Sequence, residues 1–171
     1  MQPVDTFLAI ASKRDTRSYA DRPIPDDTTR RIIDAGRLAG SAKNRQPWKF
    51  LLIGTPDVKE RLAETVYAPS NVRGAQLVVA IIAEGSGGYD IGRAMQNMML
   101  AAWNDGIVSC PNGMPDTEKT AEALGLKGEE RPAVVLSFGY PVTPRDPQRR
   151  SAEEWSARAD RKPLDQVIER I

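Results

Sequence analysis

The chain has 171 residues, 40% hydrophobic and 27% charged, with a net charge of +1, the composition of one ordinary globular domain. That balance excludes extensive disorder and a general nucleic-acid or polyanion binder. One cysteine and no histidine exclude an internal disulfide, a Cys-rich or His-based metal site, and Ser–His, Cys–His or His acid/base catalysis, so an enzyme built on this chain is expected to draw its reactive group from a cofactor.

Asp5 to Ser12 is predicted as a short helix with Phe7, Leu8 and Ile10 inward. It ends before a cluster of cations, Lys13, Arg14 and Arg17. Tyr19 to Pro25 is a Pro-broken connection. Asp26 and Asp27 then open a helix to about Ala39, with Ile32, Ile33 and Leu38 on one face and both acids at the positive end of its dipole. Trp48 to Ile53 is a strand. Thr55-Pro56 reads as a cap and first-turn proline for a helix to about Val66, and 68–74 as a polar loop. Leu77 to Ala83 is a strand buried on both sides, because its apolar and β-branched run is unbroken.

Tyr89 to Asp105 is the strongest helical segment, apolar around most of its circumference and expected at the centre of the fold. Ile107 to Cys110 is a short strand followed by a turn from Pro111 to Pro115. Asp116 to Leu124 is a helix stopping near Gly125, and Ala133 to Phe138 the last clear strand. Beyond Val142, Ser151-Ala152-Glu153-Glu154 has the capping-box pattern, and Pro163 starts another short element. This tail carries Trp155 and seven Lys/Arg with little of its own to pack on, so residues 142–171 are expected to wrap a second protomer. The elements alone give a single layered α+β or α/β domain over 1–171. No apolar run is long enough for a membrane span and no signal peptide is visible in Met1 to Ser12, which points to the cytoplasm. Gly85-Ser86-Gly87-Gly88 lacks the spacing of a dinucleotide fingerprint.

Two stretches carry chemistry. Lys13-Arg14-Asp15-Thr16-Arg17 packs three cations into five positions, enough to hold a phosphate, although a helix C-terminus attracts cations without any ligand. Residues 1–50 hold ten Lys/Arg against six Asp, so this end of the chain is the positive one. Ser41-Ala42-Lys43-Asn44-Arg45-Gln46-Pro47-Trp48-Lys49-Phe50 sets the amides Asn44 and Gln46 just before a strand, suited to the N–H and C=O edge of a flat heterocycle. Taken alone, those amides read as well as caps of the preceding helix.

Together the two stretches resemble the N-terminal motifs of the nitroreductase family, FMN-dependent oxidoreductases that work as dimers. The Asn44-x-Gln46-Pro47-Trp48-x-Phe50 pattern is the most specific part of the likeness. The resemblance implies a three-layer α-β-α fold with a mixed, mainly antiparallel sheet, and a homodimer with FMN at its interface. It implies hydride transfer from NADH or NADPH to a nitroaromatic, quinone or similar acceptor by a ping-pong route. By the same resemblance Lys13, Arg14 and Arg17 lie at the FMN phosphate and ribityl chain, joined by Arg158 and Arg161 from the tail. Ser41, Asn44 and Gln46 lie near the flavin, and the turn shaped by Pro111 and Gly113 brings backbone donors of Asn112 and Gly113 to its N5. Gln96 and Asn97, polar on an apolar helix, are expected to bond across the dimer. Asp15 departs from the common pattern, which has Ser there. It is shared with the flavin-fragmenting dimethylbenzimidazole synthases, which leaves that chemistry, or flavin storage without turnover, as alternatives; Asp15 is also placed to hold Arg17. Cys110 reads as a buried residue ending a strand rather than a nucleophile.

Overall fold

The computed structural model describes residues 5–85 and 88–171. The sheet is the middle of three layers. Its strands, β1 (Trp48–Leu52), β2 (Leu77–Ala83), β3 (Val108–Asn112) and β4 (Arg131–Gly139), lie in the order β1-β2-β4-β3 with all three ladders antiparallel. Of the two isolated bridges among the described residues, Tyr19 with Pro141 is antiparallel, and Asp15 with Ser109 runs parallel and ties the cationic segment to the outer edge of β3.

The unbroken apolar run of β2 follows from its place between β1 and β4, with a helical layer on each face. Val79 and Ile81 face one layer with Leu136 and Phe138, while Val78, Ala80 and Ile82 face the other with Val135. The first layer consists of α2 (Asp26–Arg37) and α5 (Gly88–Asn104), with α1 (Thr6–Ser12) beside them. Gly36 lets α2 approach α5 closely, since a Cβ there would sit 2.7 Å from Met98 Cγ. The second layer is α3 (Pro56–Ala63), α4 (Pro69–Gly74) and α6 (Thr117–Leu124). Burying each large aliphatic side chain of these two cores contributes roughly 1.5–3 kcal/mol.

Several expectations need correction. Residues 68–74 are not simply a loop: Pro69 starts α4 as Pro56 starts α3, by supplying a preset φ where no N–H is needed. Thr55 sits at the N-cap of α3 without a side-chain cap bond. β3 runs on through Pro111, which an edge strand tolerates because its outer N–H is unpaired anyway. Phe7 and Ile10 point outward, 60% and 51% exposed, and Leu38 is exposed at the C-cap of α2; only Ala9 and Ser12 of α1 are buried. The central helix α5 keeps one open face, with Tyr89, Arg93, Gln96 and Asn97 exposed. Asn97 donates instead to Ala35 O of α2 at 3.2 Å within the same protomer.

The tail is partly anchored on its own chain. α7 (Ala152–Ala157) has the full capping box and packs on α1, with Trp155 Nε1 donating to Pro147 O at 2.8 Å. Beyond a 3-10 turn at Leu164–Gln166, the apolar residues Leu164, Val167, Ile168 and Ile171 are all exposed. No helix among the described residues is long and apolar enough to cross a membrane. The Gly85–Gly88 loop and the Met1–Ser12 signal reading reach into Ser86, Gly87 and 1–4, which lie outside the described residues.

Candidate functional site

The cationic segment is aimed by the way α1 ends. Asp5 caps the start of α1, accepting from Phe7 N at 3.0 Å and Leu8 N at 3.2 Å. At the other end Ser12 donates to Leu8 O at 2.6 Å and accepts from Trp103 Nε1 of α5 at 2.9 Å. Lys13 then turns extended (φ −61°, ψ 132°), and extended backbone sends successive side chains to different sides. The three cations consequently separate. Lys13 lies along α5, with Nζ 2.5 Å from Asp15 Oδ1 and 3.4 Å from Met99 Sδ. Arg14 folds back: Nη1 donates to Ala11 O and Lys13 O, each at 2.7 Å, and Nη2 to Trp155 O at 3.2 Å, clamping α1 to α7. Arg17 is exposed on the far side, beside Cys110. Burial pushes the Cys110 thiol up, and a hydrogen bond from the Arg17 guanidinium opposes that shift. Asp15 pairs with Lys13 and not with Arg17, contrary to the expectation from spacing.

Lys13, Arg14 and Asp15 line a cavity of about 390 Å³ with Arg161, Gln96, Phe7 and Ile10. Asp160, at φ 50°, makes the left-handed turn that delivers Arg161 to it, and Arg161 Nη1 donates to Ala159 O at 2.7 Å. Arg158 caps the end of α7, exposed, with no side-chain partner among the described residues. The wall contains side chains that sequence alone did not assign to a site. The i, i+3 spacing of Phe7 and Ile10 on α1 is visible in sequence, as is the polar Gln96 on α5, but not which surface those faces meet.

The amide loop is a separate feature. Ser41 Oγ accepts from Gln46 N at 2.8 Å and Ala42 N donates to Asp90 Oδ2 at 3.0 Å, fixing the loop to the first turn of α5. Lys43, Asn44 and Gln46 have φ of 53°, 54° and 50°. A left-handed conformation costs a non-glycine residue roughly 1–2 kcal/mol, and such strain collects at ligand-handling loops. Asn44 and Gln46 are exposed, and among the described residues the Gln46 amide makes a long 3.5 Å approach to Asn44 O. The loop docks at Asp90 and Lys13 at Met99, nine residues apart on α5, or about 13 Å at 1.5 Å per residue. Ser41, Asn44 and Gln46 do not line the cavity that Lys13 and Arg161 share in this protomer.

At the end of β3 the side chains alternate. Cys110 and Asn112 face the α3–α4 layer, where Asn112 Nδ2 donates to Cys110 O, Val135 O and Ser137 Oγ, each at 3.1 Å, and Oδ1 accepts from Asn71 Nδ2 at 2.9 Å. Tyr19 OH lies 2.7 Å from Ser137 Oγ and closes this buried network; burial lifts its phenol to about 12, against the pull of the Ser137 bond. The Asn112 side chain is thus spent inside the protein, and its main chain lies in the ladder opposite Val135 of β4. Gly113 lies under exposed Tyr67, whose N–H donates to Gly113 O at 3.0 Å. Ser109 and Pro111 face α5 with Leu136 and Phe138. Ser109 Oγ is buried with no partner, one bridge away from Asp15.

Comparison with known proteins places this geometry. Residues 10–85 and 88–140 match the sequence pattern described as the Nitroreductase family. A Methanothermobacter thermautotrophicus protein provisionally named NADH dehydrogenase/NAD(P)H nitroreductase is 26% identical over 169 residues, spanning 89% of this chain and 88% of its own. The iodotyrosine deiodinase of Thermotoga neapolitana is 26% identical, covering 80% of this chain and 89% of its own. Among solved structures, a Desulfovibrio desulfuricans chain in complex with FMN superposes with a TM-score of 0.83 at 24% identity, over 98% of both chains. A nitroreductase family protein from Streptococcus pneumoniae gives 0.81 at 20% identity, over 98% of this chain and all of its own. At these identities the structural likeness shows a shared fold.

Proposed function

Because the chain belongs to the nitroreductase family, we propose that it is an FMN-dependent oxidoreductase that takes a hydride from NADH or NADPH and passes it to an electrophilic acceptor such as a nitroaromatic or quinone. The observation that carries this reading is the convergence of Lys13 and Arg161, 148 residues apart in sequence, on one cavity. Arg suits phosphate oxygens and Lys adds a point charge, so the pair fits the terminal phosphate of FMN. The orphaned Ser109 hydroxyl and the strained, exposed amides of Asn44 and Gln46 fit a polar ligand as well, since an unpaired buried polar atom costs about 1–3 kcal/mol that a partner would recover.

When bound, FMN supplies the chemistry by accepting a hydride at N5 and releasing it to the acceptor. The protein's part is binding and orientation. Lys13 and Arg161 hold the phosphate end, Asn44 and Gln46 meet the polar edge of the ring system, and the main-chain N–H of Gly113, just past the end of β3, faces its reactive side. Arg14 acts mainly by fixing α7, and with it Arg161. The cavity of Lys13 and Arg161 has no wall from residues 41–46 in this protomer, so the proposed site takes its amide loop from a second copy. The open face of α5, with Phe7 and Ile10, is the proposed contact, and the exposed apolar residues of 164–171 are proposed to pack on the partner.

Anaerobic addition of NADH or NADPH to the FMN-loaded protein should bleach the flavin absorbance, and a nitroaromatic or quinone should restore it. Absence of flavin binding refutes the assignment. A bound flavin that neither nicotinamide bleaches would indicate storage instead. The Asp15 carboxylate at the cavity favours a second reading, breakdown of the reduced flavin by oxygen; recovery of intact FMN after reduction and aeration eliminates it.

A further inference from the structure

The cation closest to α5 is already compensated. Lys13 is nearly enclosed, its side chain 9% exposed, and its Nζ stands 2.5 Å from Asp15 Oδ1. The main chain that carries Asp15 is held in place beside Lys13: it is bridged to Ser109, and Thr16 N donates to Ser109 O at 3.1 Å. Its side chain is 45% exposed, on the wall of the same cavity as Arg161. Arg14 offers little in exchange, because both of its Nη atoms are engaged with carbonyls. An anion entering here meets a lysine already shared with a carboxylate on the same wall, and the carboxylate repels it.

We infer that Asp15 is a built-in counter-ion that sets the selectivity of this cavity, lowering its preference for a dianionic phosphate over an uncharged ligand end. The inference rests on the FMN reading and goes beyond it. Asp15 makes the site discriminate weakly between FMN and riboflavin, and it makes FMN exchangeable rather than permanently held. The two ligands share the ring and ribityl chain and differ only in the phosphate, so their affinity ratio isolates this subsite from every other contact.

The test titrates the full chain with FMN and, separately, with riboflavin, following flavin fluorescence, in the wild type, Asp15→Asn and Asp15→Ser. Both replacements keep a polar group of similar or smaller size, and thermal melts establish that the variants fold. The expected result is an FMN affinity raised about tenfold, or 1.4 kcal/mol, with riboflavin affinity unchanged. Raising the salt concentration should erase more of the FMN binding in the variants than in the wild type, since the unmasked cation is what salt screens. An FMN-to-riboflavin ratio that stays constant or falls overturns the inference, and a fall would mean that Asp15 serves to orient Lys13. Failure of both ligands to bind in all three proteins defeats the FMN reading and this inference with it, whereas binding with an unchanged ratio defeats the inference alone.

Discussion

Replacing Asn112 with alanine removes one side chain from the centre of the Tyr19–Ser137–Asn112–Asn71 network. The loss is smaller than four hydrogen bonds, because some partners keep other contacts. Ser137 Oγ retains Tyr19 OH at 2.7 Å and Cys110 O at 3.2 Å. Asn71 Nδ2 loses its 2.9 Å acceptor and is left with only a distant 3.9 Å approach to Cys110 Sγ, while Val135 O loses an amide donor. At about 1–3 kcal/mol for each buried group left unpaired, the cost is of order 3 kcal/mol. For a domain of this length that corresponds to roughly 6–12 °C in Tm. Calorimetry or circular dichroism reads this directly, and flavin titration well below the transition should find an unchanged affinity. Asn71→Ala should cost nearly as much, and the double variant clearly less than the sum, because the two amides serve each other. An unchanged Tm combined with a tenfold loss of flavin affinity would refute the reasoning and place the Asn112 side chain at the ligand.

Arg161→Ala should weaken FMN binding about tenfold (about 1.4 kcal/mol) and flatten its salt dependence while sparing riboflavin; calorimetric titration at two salt concentrations checks both. The Tyr19 phenol, raised by burial to about 12 from 10.0, contributes stability that is complete below pH 10 and drains away as pH rises toward 12. Denaturant melts should therefore lose about 1.4 kcal/mol per pH unit in that window, and Tyr19→Phe should remove that dependence. Combined Val167→Asp and Ile168→Asp substitutions should leave the protomer's melting unchanged but weaken self-association in sedimentation, since both side chains are exposed in the protomer.

Most of the architecture was legible because it rests on local rules. The unbroken apolar run fixed β2, the paired acids fixed the start of α2, and Ser151 with Glu154 fixed α7 through a reciprocal cap. α4 was missed although Pro69 gave the same first-turn signal as Pro56, because six residues leave too little periodicity to see. Periodicity also cannot say what a face meets: Phe7, Ile10 and Leu38 have core-like character but are exposed in the protomer. At the candidate site, residue types were readable and directions were not. Lys13 and Arg14 are neighbours in sequence and both line the cavity, yet the Arg14 guanidinium is taken up by carbonyls of a helix end and of Trp155. Whether Asn112 faces a ligand or the interior depended on a strand extending one pleat further than its proline suggested.

The Arg14 clamp on the Trp155 carbonyl mechanically links three things otherwise remote in sequence: the end of α1, the helix of the tail, and the Arg161 cation that follows it. If the last residues of the tail find their apolar contacts on a second copy, association tightens the same lever that positions Arg161. Linkage then works in both directions: whatever ligand occupancy gains from pairing, pairing gains from occupancy. Flavin retention would rise with protein concentration, and dilution would shed the cofactor and separate the subunits in a single transition.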